Sequence, residues 1–470
     1  MEVSQYCDLV KNDTGRWIVF CTATGKSCVV NDDVYHAIKS EKLSELSLGE
    51  KARLSQLGIL VDSRAEEQQR VHEQLNGYRD NSDVLRYTLV TTYACNLRCT
   101  YCYEDAMDSR RGVMSDAVAE QVLAKVKRDL AASKAKHVGI TLYGGEPLLN
   151  LGPAYHVLSE LGKYQRKANF VLHGAAITNG TLFTEKNVPE YAKHIQNTQL
   201  TLDGGPSFHN TIRKLHDGQP TFERICRSAQ LLTEHGVQVM MRIQVCEQSV
   251  PSLELCFQKL KEFGLLHNKM VQIYFFPILD VRDVCSSKAF RCGSEYYEPR
   301  LFQHLWPYGQ EYGVLVTTPP VPVWFSPYCS FVNRWACLID PEGAIYKCVA
   351  DVGKPECVIG STLNDDGAQT KTQKACEKRF LTHQGLAFSK CKKCSYLPLC
   401  DGGCAHFAHR GGSSKKDGPS CELHLRAIKA WLQQPSTIRP LVAAESPKVD
   451  PPSSSESRPK KKIRVKRSIT

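Results

Sequence analysis

No apolar run in this 470-residue chain approaches the roughly 18 to 20 residues needed to cross a bilayer. The opening stretch MEVSQYCDLVKNDTG lacks the charged-then-apolar layout of a secretory signal. These two absences point to the cytoplasm and exclude a membrane partner. A disulfide framework is not expected in that reducing compartment, so the 21 cysteines need another account. Negative charge is missing from the last 13 residues, RPKKKIRVKRSIT, which hold seven positive charges of a chain whose net charge is +11. The body is therefore nearly balanced. Because this tail follows the Pro/Ser-rich SPKVDPPSSSES, residues 434–470 are expected to be a disordered, solvated basic tail, with no nucleic-acid partner.

Hydrophobic residues at 42% and charged residues at 23% describe an ordinary globular protein of two to four domains. Residues 1–80 read as a small α+β module: the β-type runs RWIVFC and KSCVV, a helical stretch from DDVYHAIKS through GEKARLSQLG, then ILVD. The polar segment SRAEEQQRVHEQLNGYRDNSD reads as a linker. From residue 84 to 285, β-type runs alternate with amphipathic helical runs, the first helix opening at Ser115 as N-cap. Helical crossovers connect parallel strands, so a parallel sheet of six strands is expected. A doubly wound sheet and a closed or partial barrel both fit that order. In either, residues just after the strands gather at one edge, and there lie the cysteines of YACNLRCTYCYED, then GGEP, TNG and DGG.

Cys95, Cys99 and Cys102 offer three thiols where a structural zinc takes four ligands. A four-iron cluster held by three thiolates leaves one iron open to a small molecule. A second field runs Cys391-x2-Cys394-x5-Cys400-x3-Cys404, followed by Cys421. Four thiolates so close suit a zinc ribbon or iron–sulfur clusters. Cys7, Cys21, Cys226, Cys246 and Cys256 are scattered and read as small buried hydrophobes.

The spacing CxxxCxxC, with Tyr101 before its last cysteine, resembles the radical S-adenosylmethionine superfamily. The resemblance implies a partial (β/α)6 TIM-like barrel over residues 84–285, with S-adenosylmethionine chelating the open iron. Cleavage of that cofactor gives a 5′-deoxyadenosyl radical that takes a hydrogen from the substrate. By resemblance, Gly144, Gly145 and Glu146 of the strand-end YGGEP motif, which closes on Pro147, hold the methionine amino group. Asn179, Thr201 and Asp203 are expected near the ribose and substrate, although Asn-Gly and Asp-Gly are turn formers in any case. Arg242 is expected either to meet the cofactor carboxylate or to form a surface ion pair.

The C-terminal field resembles the SPASM extension: Cys329, Gly343 and Cys348 give C-x13-G-x4-C, and the later block matches its spacing. This implies a loop-rich iron–sulfur domain over residues 329–421, after a connector at 286–328. Cys391, Cys394, Cys400 and Cys421 would hold one auxiliary [4Fe-4S] cluster; Cys329, Cys348 and Cys404 would hold another, with Cys337 the nearest fourth ligand. Cys357 and Cys376 have no assigned role.

Enzymes of that group act mostly on peptides or proteins, and draw on an external low-potential electron donor. One branch crosslinks ribosomally made precursor peptides, some members gripping the leader through a small N-terminal module by strand addition; residues 1–80 are either such a module or a structural cap. The other branch matures sulfatases by formylglycine formation and places an aspartate directly after the cysteine matching Cys348. Here that position is Val349, and the nearest carboxylate is Asp351. A general base must reach its proton within about 3 Å or through one water, so this departure favours peptide crosslinking or a related oxidation. A cluster-bearing scaffold without radical turnover is the non-enzymatic alternative.

Overall fold

The structure, a computed structural model, describes residues 1–12, 15–102, 112–278, 299–315, 323, 329, 332–363 and 369–405. The basic tail, Cys421 and most of the 286–328 connector lie outside the described residues.

The chain begins with β1 (Glu2–Val3), β2 (Cys7–Lys11), β3 (Trp17–Cys21), β4 (Lys26–Val30), α1 (Asp32–Lys39), α2 (Leu48–Gln56), β5 (Leu60–Val61) and α3 (Arg64–Asp80). β2, β3 and β4 form an antiparallel sheet in that order, and β1 pairs with β5. A capping box opens α2: the Ser47 hydroxyl accepts from the Glu50 N–H at 3.3 Å, and the Glu50 carboxylate accepts from the Ser47 N–H at 2.9 Å. The polar segment expected as a linker is largely the helix α3. Its buried positions Glu67, Val71, Leu75 and Arg79 recur at i, i+4 spacing. Two of them are charged, so the stripe is invisible to hydrophobic periodicity.

The core runs β6 (Val84–Thr92), α4 (Asp116–Ala132), β7 (His137–Gly144), α5 (Gly152–Ala168), β8 (Val171–Ile177), α6 (Val188–His194), β9 (Asn197–Leu202), α7 (Pro206–Ile212), α8 (Phe222–Glu234), β10 (Gln238–Val245), α9 (Leu253–Glu262), β11 (Val271–Pro277) and α10 (Pro299–Tyr312). Ser115 caps α4, accepting from the Val118 N–H at 3.3 Å. β6 through β11 pair in parallel and in chain order. A doubly wound sheet reverses its strand order at a switch point. No reversal occurs here, which is the winding of a partial barrel. Strand alternation sorts the faces: Leu200, Leu202, Met241, Ile243 and Val245 join the main core with the helices, leaving Thr201, Arg242 and Gln244 on the inner face.

β12 (Ala336–Ile339), β13 (Ala344–Tyr346), β14 (Gly360–Ser361), α11 (Lys371–Leu381), α12 (Ser389–Lys392) and α13 (Leu397–Cys400) complete the described chain. β12 pairs in parallel with β6, Cys337 opposite Tyr87, and β13 and β14 follow antiparallel, making one nine-stranded sheet. The segment after Cys329, expected as loop-rich, thus adds its own strands to the barrel sheet.

Candidate functional site

The mouth of the barrel is built where β6 to β10 end. β6 gives way to Tyr93 and the loop 95–102, whose last turn closes with the Cys102 N–H on the Cys99 carbonyl at 3.0 Å. The turn after β7 lies hard against the root of this loop. The Gly145 N–H donates to the Thr92 carbonyl at 3.1 Å and the Glu146 N–H to the Ala94 carbonyl at 2.8 Å. A Cβ at Gly145 would stand 2.4 Å from the Ala94 carbonyl oxygen, and one at Gly144, whose φ is +140°, 2.3 Å from that of Thr92. Both positions require glycine because backbone meets backbone.

Glu146 is fully buried. Its carboxylate accepts from the Leu148 N–H at 3.0 Å, the Thr178 hydroxyl at 2.6 Å and the Asn179 N–H at 2.7 Å, tying the end of β7 to the end of β8. Burial raises its carboxyl, against the lowering by those three donors. Glu146 therefore holds the architecture of the turn. Pro147 opens a short 3-10 turn after it, and its carbonyl accepts from the Thr91 hydroxyl at 3.2 Å. Asn179 reaches the cysteine loop itself, donating to Asn96 Oδ1 at 2.8 Å and pointing its Nδ2 at Cys95 Sγ, 3.8 Å away. Asn96 in turn donates to the Thr181 hydroxyl at 2.8 Å.

Tyr101 is the hub of the opposite wall. Its hydroxyl donates to Asp203 Oδ1 at 2.6 Å and accepts from Arg213 Nη1 at 2.8 Å and Gln244 Nε2 at 3.0 Å. Asp203 is fully buried, its carboxyl raised by burial and lowered in part by Arg213. Burial pulls Arg213 down, yet Cys99, Tyr101 and Asp203 together outweigh it and hold the guanidinium charged. The Asp203 N–H donates to His209 Nδ1 at 3.0 Å, so the proton of that imidazole sits on Nε2, facing Thr221 Oγ1 at 3.0 Å. Burial, and then Arg213, push His209 well below the ordinary histidine range. Arg242 turns its Nη2 toward the Thr201 hydroxyl at 3.4 Å and its guanidinium over the Phe276 ring at 5.4 Å.

Tyr101, Glu146, Asn179, Thr201, Asp203 and Arg242 are thus brought to one mouth. Sequence reasoning missed Arg213, Gln244 and His209. Arg213 and His209 belong to the segment LTLDGGPSFHNTIR that follows β9, where their only signal was proximity to Asp203.

Among the described residues, no three Cys, His, Asp or Glu side chains are gathered closely enough to hold a metal ion. The donor set on the loop is nevertheless purely thiol. Burial pushes Cys95 up to about 12, against the Leu97 N–H that lowers it, and a bound metal would be what makes it a thiolate. Asp203 Oδ2 and Arg213 Nε face each other as a buried ion pair at 3.6 Å, and among the described residues Arg242 Nε is buried without a hydrogen-bond partner. A buried guanidinium with an open N–H suits an anionic ligand group, and the carboxylate of S-adenosylmethionine fits that demand.

The second cysteine field divides. Cys329 and Cys404 lie within electrostatic reach of Cys348, whose thiol is raised first by burial and then by Asp351. Asp351 itself is buried at the end of the 3-10 turn Val349–Asp351, with Lys354 Nζ at 3.6 Å. Cys337 is not brought into that group. It points into the barrel core with Ile339, whereas Leu338, on the other face of β12, packs beside Cys348. Cys391 and Cys394 sit one turn apart, the Cys394 N–H on the Cys391 carbonyl at 3.0 Å, and Cys400 closes α13. Cys357 and Cys376 lie together in the small core that holds Tyr93, the Cys376 thiol donating to the Cys357 carbonyl at 3.5 Å. Between the two fields stands Asp340. Its Oδ2 accepts from the hydroxyls of Tyr93 at 2.8 Å and Tyr346 at 3.1 Å, while Oδ1 accepts from the Ala344 N–H at 2.8 Å.

Residues 89–245 match the family model described as the Radical SAM superfamily. A cysteine-type anaerobic sulfatase-maturating enzyme of Clostridium perfringens is 24% identical over 344 residues, covering 69% of this chain and 88% of that protein. The radical SAM cyclopropyl synthase TigE of Paramaledivibacter caminithermalis is 19% identical over 490 aligned residues, covering 93% and 96%. Two solved structures share the fold. The sulfatase-maturating enzyme anSMEcpe with bound AdoMet and a peptide gives a TM-score of 0.55 at 20% identity, covering 74% of this chain and 96% of its own. Streptococcus suis SuiB bound to precursor peptide SuiA gives 0.52 at 15%, covering 89% and 99%.

Proposed function

We propose that this chain, a radical S-adenosylmethionine enzyme, abstracts hydrogen from a ribosomally made peptide and leaves a crosslink or an oxidised residue. The observation that carries the peptide reading is the span of the likeness to TigE: at 93% of this chain it must take in part of the N-terminal module, and it is wider than the 69% of the sulfatase-maturase match. In this reading the module would offer a docking edge. β4 is the outer strand of its sheet, and among the described residues no strand pairs with its far side; Val29 there is 47% exposed. At the other edge strand, β2, the Asp8 carboxylate accepts from the Tyr396 hydroxyl. A leader peptide adding as a strand to β4 satisfies the open backbone groups.

Cys95, Cys99 and Cys102 would hold the [4Fe-4S] cluster, and the backbone of Gly144 and Gly145 would face the methionine amino group. Arg213 and Arg242 offer cations to its carboxylate. Bound there, cluster and cofactor supply the 5′-deoxyadenosyl radical. The chain's own work is to orient the cofactor through the Tyr101–Asp203–Arg213 network and to keep water from the mouth. Cys391, Cys394, Cys400 and Cys421, and separately Cys329, Cys348 and Cys404, would hold auxiliary clusters that take up the electron left on the substrate.

The likeness to sulfatase-maturating enzymes favours a second reading, formylglycine formation, for which Asp351 would have to act as base. Its burial beside Lys354 speaks against that role. The test is anaerobic reconstitution, then incubation with S-adenosylmethionine, dithionite and, in separate reactions, any short peptide found encoded next to the gene and a sulfatase-derived cysteine peptide. Formation of 5′-deoxyadenosine with loss of two hydrogens from the peptide supports crosslinking; an aldehyde on a sulfatase-derived cysteine peptide reverses the order. No 5′-deoxyadenosine from fully loaded protein overturns both.

A further inference from the structure

Cys357 and Cys376 stand outside both cysteine fields, and the fold brings them together. Cys357 ends the 3-10 turn Pro355–Cys357, its N–H on the Lys354 carbonyl at 3.0 Å. Cys376 lies on α11, which opens with a capping box: the Thr370 hydroxyl accepts from the Gln373 N–H at 3.2 Å, and the Gln373 amide oxygen accepts from the Thr370 N–H at 2.8 Å. Cys376 and Phe380, one turn apart, are the buried residues of that helix. The Cys376 Sγ is 3.5 Å from the Cys357 carbonyl oxygen, and the two thiols are within hydrogen-bond reach of each other.

Packing alone does not account for the pair, because a cation is placed beside it. Arg379 lays its guanidinium over the Phe380 ring at 5.6 Å, and its Nε is buried with no hydrogen-bond partner among the described residues. Its charge acts on both sulfurs. The hydrogen bond from the Cys357 thiol, and then Arg379, draw Cys376 below the ordinary thiol range against burial and Asp351. The same hydrogen bond, and then burial, push Cys357 up. One sulfur is thus the nucleophile and the other keeps its proton. A thiolate near a guanidinium with a second thiol in reach is the arrangement of a reactive and a resolving cysteine. Exposures of 6% at Cys376 and 8% at Cys357 leave room for a small oxidant rather than a bulky disulfide.

We propose that Cys376 and Cys357 form a reversible disulfide, with hydrogen peroxide as the oxidant. The Cys376 thiolate attacks the O–O bond; an S–O bond forms, and hydroxide leaves to take up the proton that Cys376 has shed. The Cys357 sulfur then attacks the sulfenic acid. The S–S bond forms as the S–O bond breaks, and the departing hydroxide carries off the Cys357 proton as a second water. Two thiols and one peroxide give one disulfide and two waters. Arg379 holds the thiolate until it reacts. The product fastens α11 to the turn that follows Cys348, and a dithiol reductant restores both thiols. The pair shares no residue with the cofactor mouth or with either cysteine set assigned to an auxiliary cluster.

The test uses the reconstituted full chain, kept anaerobic and given limiting hydrogen peroxide. Free thiols are then alkylated and the digest is read by mass spectrometry. The peptides carrying Cys357 and Cys376 are expected joined, two hydrogens lighter than their sum, and separated again by dithiothreitol. Cys357→Ser is expected to stop at the sulfenic acid, which dimedone captures on Cys376. Arg379→Gln is expected to slow the loss of the Cys376 thiol several-fold at unchanged iron content. Arg379→Lys, which keeps the charge, is expected to retain most of the rate, so that a folding defect is told apart from a lost cation. Recovery of Cys357 and Cys376 as free thiols while other cysteines are oxidised overturns the proposal. An Arg379→Gln rate equal to that of the wild type overturns the role of the guanidinium.

Discussion

Tyr101 gives its single hydroxyl proton to Asp203, 2.6 Å away, and spends both lone pairs on Arg213 and Gln244. One phenol thus keeps a buried acid and a buried cation in register at the lip of the barrel. Tyr101→Phe removes three hydrogen bonds at once and leaves charged groups short of partners, at about 1–3 kcal/mol each for groups so buried. S-adenosylmethionine affinity, measured by equilibrium binding to the reconstituted protein, is expected to fall by about tenfold or more, while iron at the 95–102 loop stays.

Gly145→Ala is expected to do more damage than its size suggests. The new methyl would lie 2.4 to 2.7 Å from three backbone atoms of Tyr93 and Ala94. Backbone cannot rotate away, so the turn must part from the cysteine loop, with a loss of at least about 2 kcal/mol and of cofactor binding. Gly152→Ala, with nothing within 4 Å of its Cβ position, serves as the control. Equal melting temperatures for the two variants would remove the close-approach argument.

His209 makes a pH prediction with a definite sign. Its folded value lies well below the ordinary one, through burial first and then the Arg213 charge, and its Nδ1 already accepts from the Asp203 N–H. The unfolded imidazole binds its proton near about 6.5. The resulting stability is full above that pH and is lost progressively as pH falls toward the folded value, by about 1.4 kcal/mol per pH unit at most. Urea unfolding of metal-free protein at about pH 7 and about pH 5.5 should show this extra loss in the wild type and not in His209→Gln. Parallel pH dependence in the two proteins contradicts it.

Cys99→Ala and Cys337→Ala separate two cysteines that the sequence alone could not rank. The first is expected to abolish 5′-deoxyadenosine formation and to remove one cluster's iron. The second leaves a core cavity near Tyr87 and Lys125, costs about 1 kcal/mol of stability, and keeps all its iron. A loss of iron in Cys337→Ala returns that residue to the ligand set.

The strands and helices of the barrel were legible because each buries one apolar face at a single period, as Leu200 and Leu202 do against Thr201. The helix α3 was not, since Glu67 and Arg79 occupy half of its buried stripe and are buried only through Ser4 and Asp401, partners more than 60 positions away. The same limit applies at the mouth. Asp203 could be picked out at a strand end, but that Tyr101, Arg213 and Gln244 meet on one oxygen depends on three separate loops and strands. Pairing of β12 with β6 was equally hidden, because ACLI is too short to show a period.

That pairing limits how the molecule can open. Cys95 hangs from the end of β6 and Cys348 from the end of β13, two strands of one continuous hydrogen-bonded sheet, and Asp340 grips the tyrosine beside each. Among the described residues the two regions share one plate of paired strands, so the interval between Cys95 and Cys348 is set by strand pairing when the sheet forms.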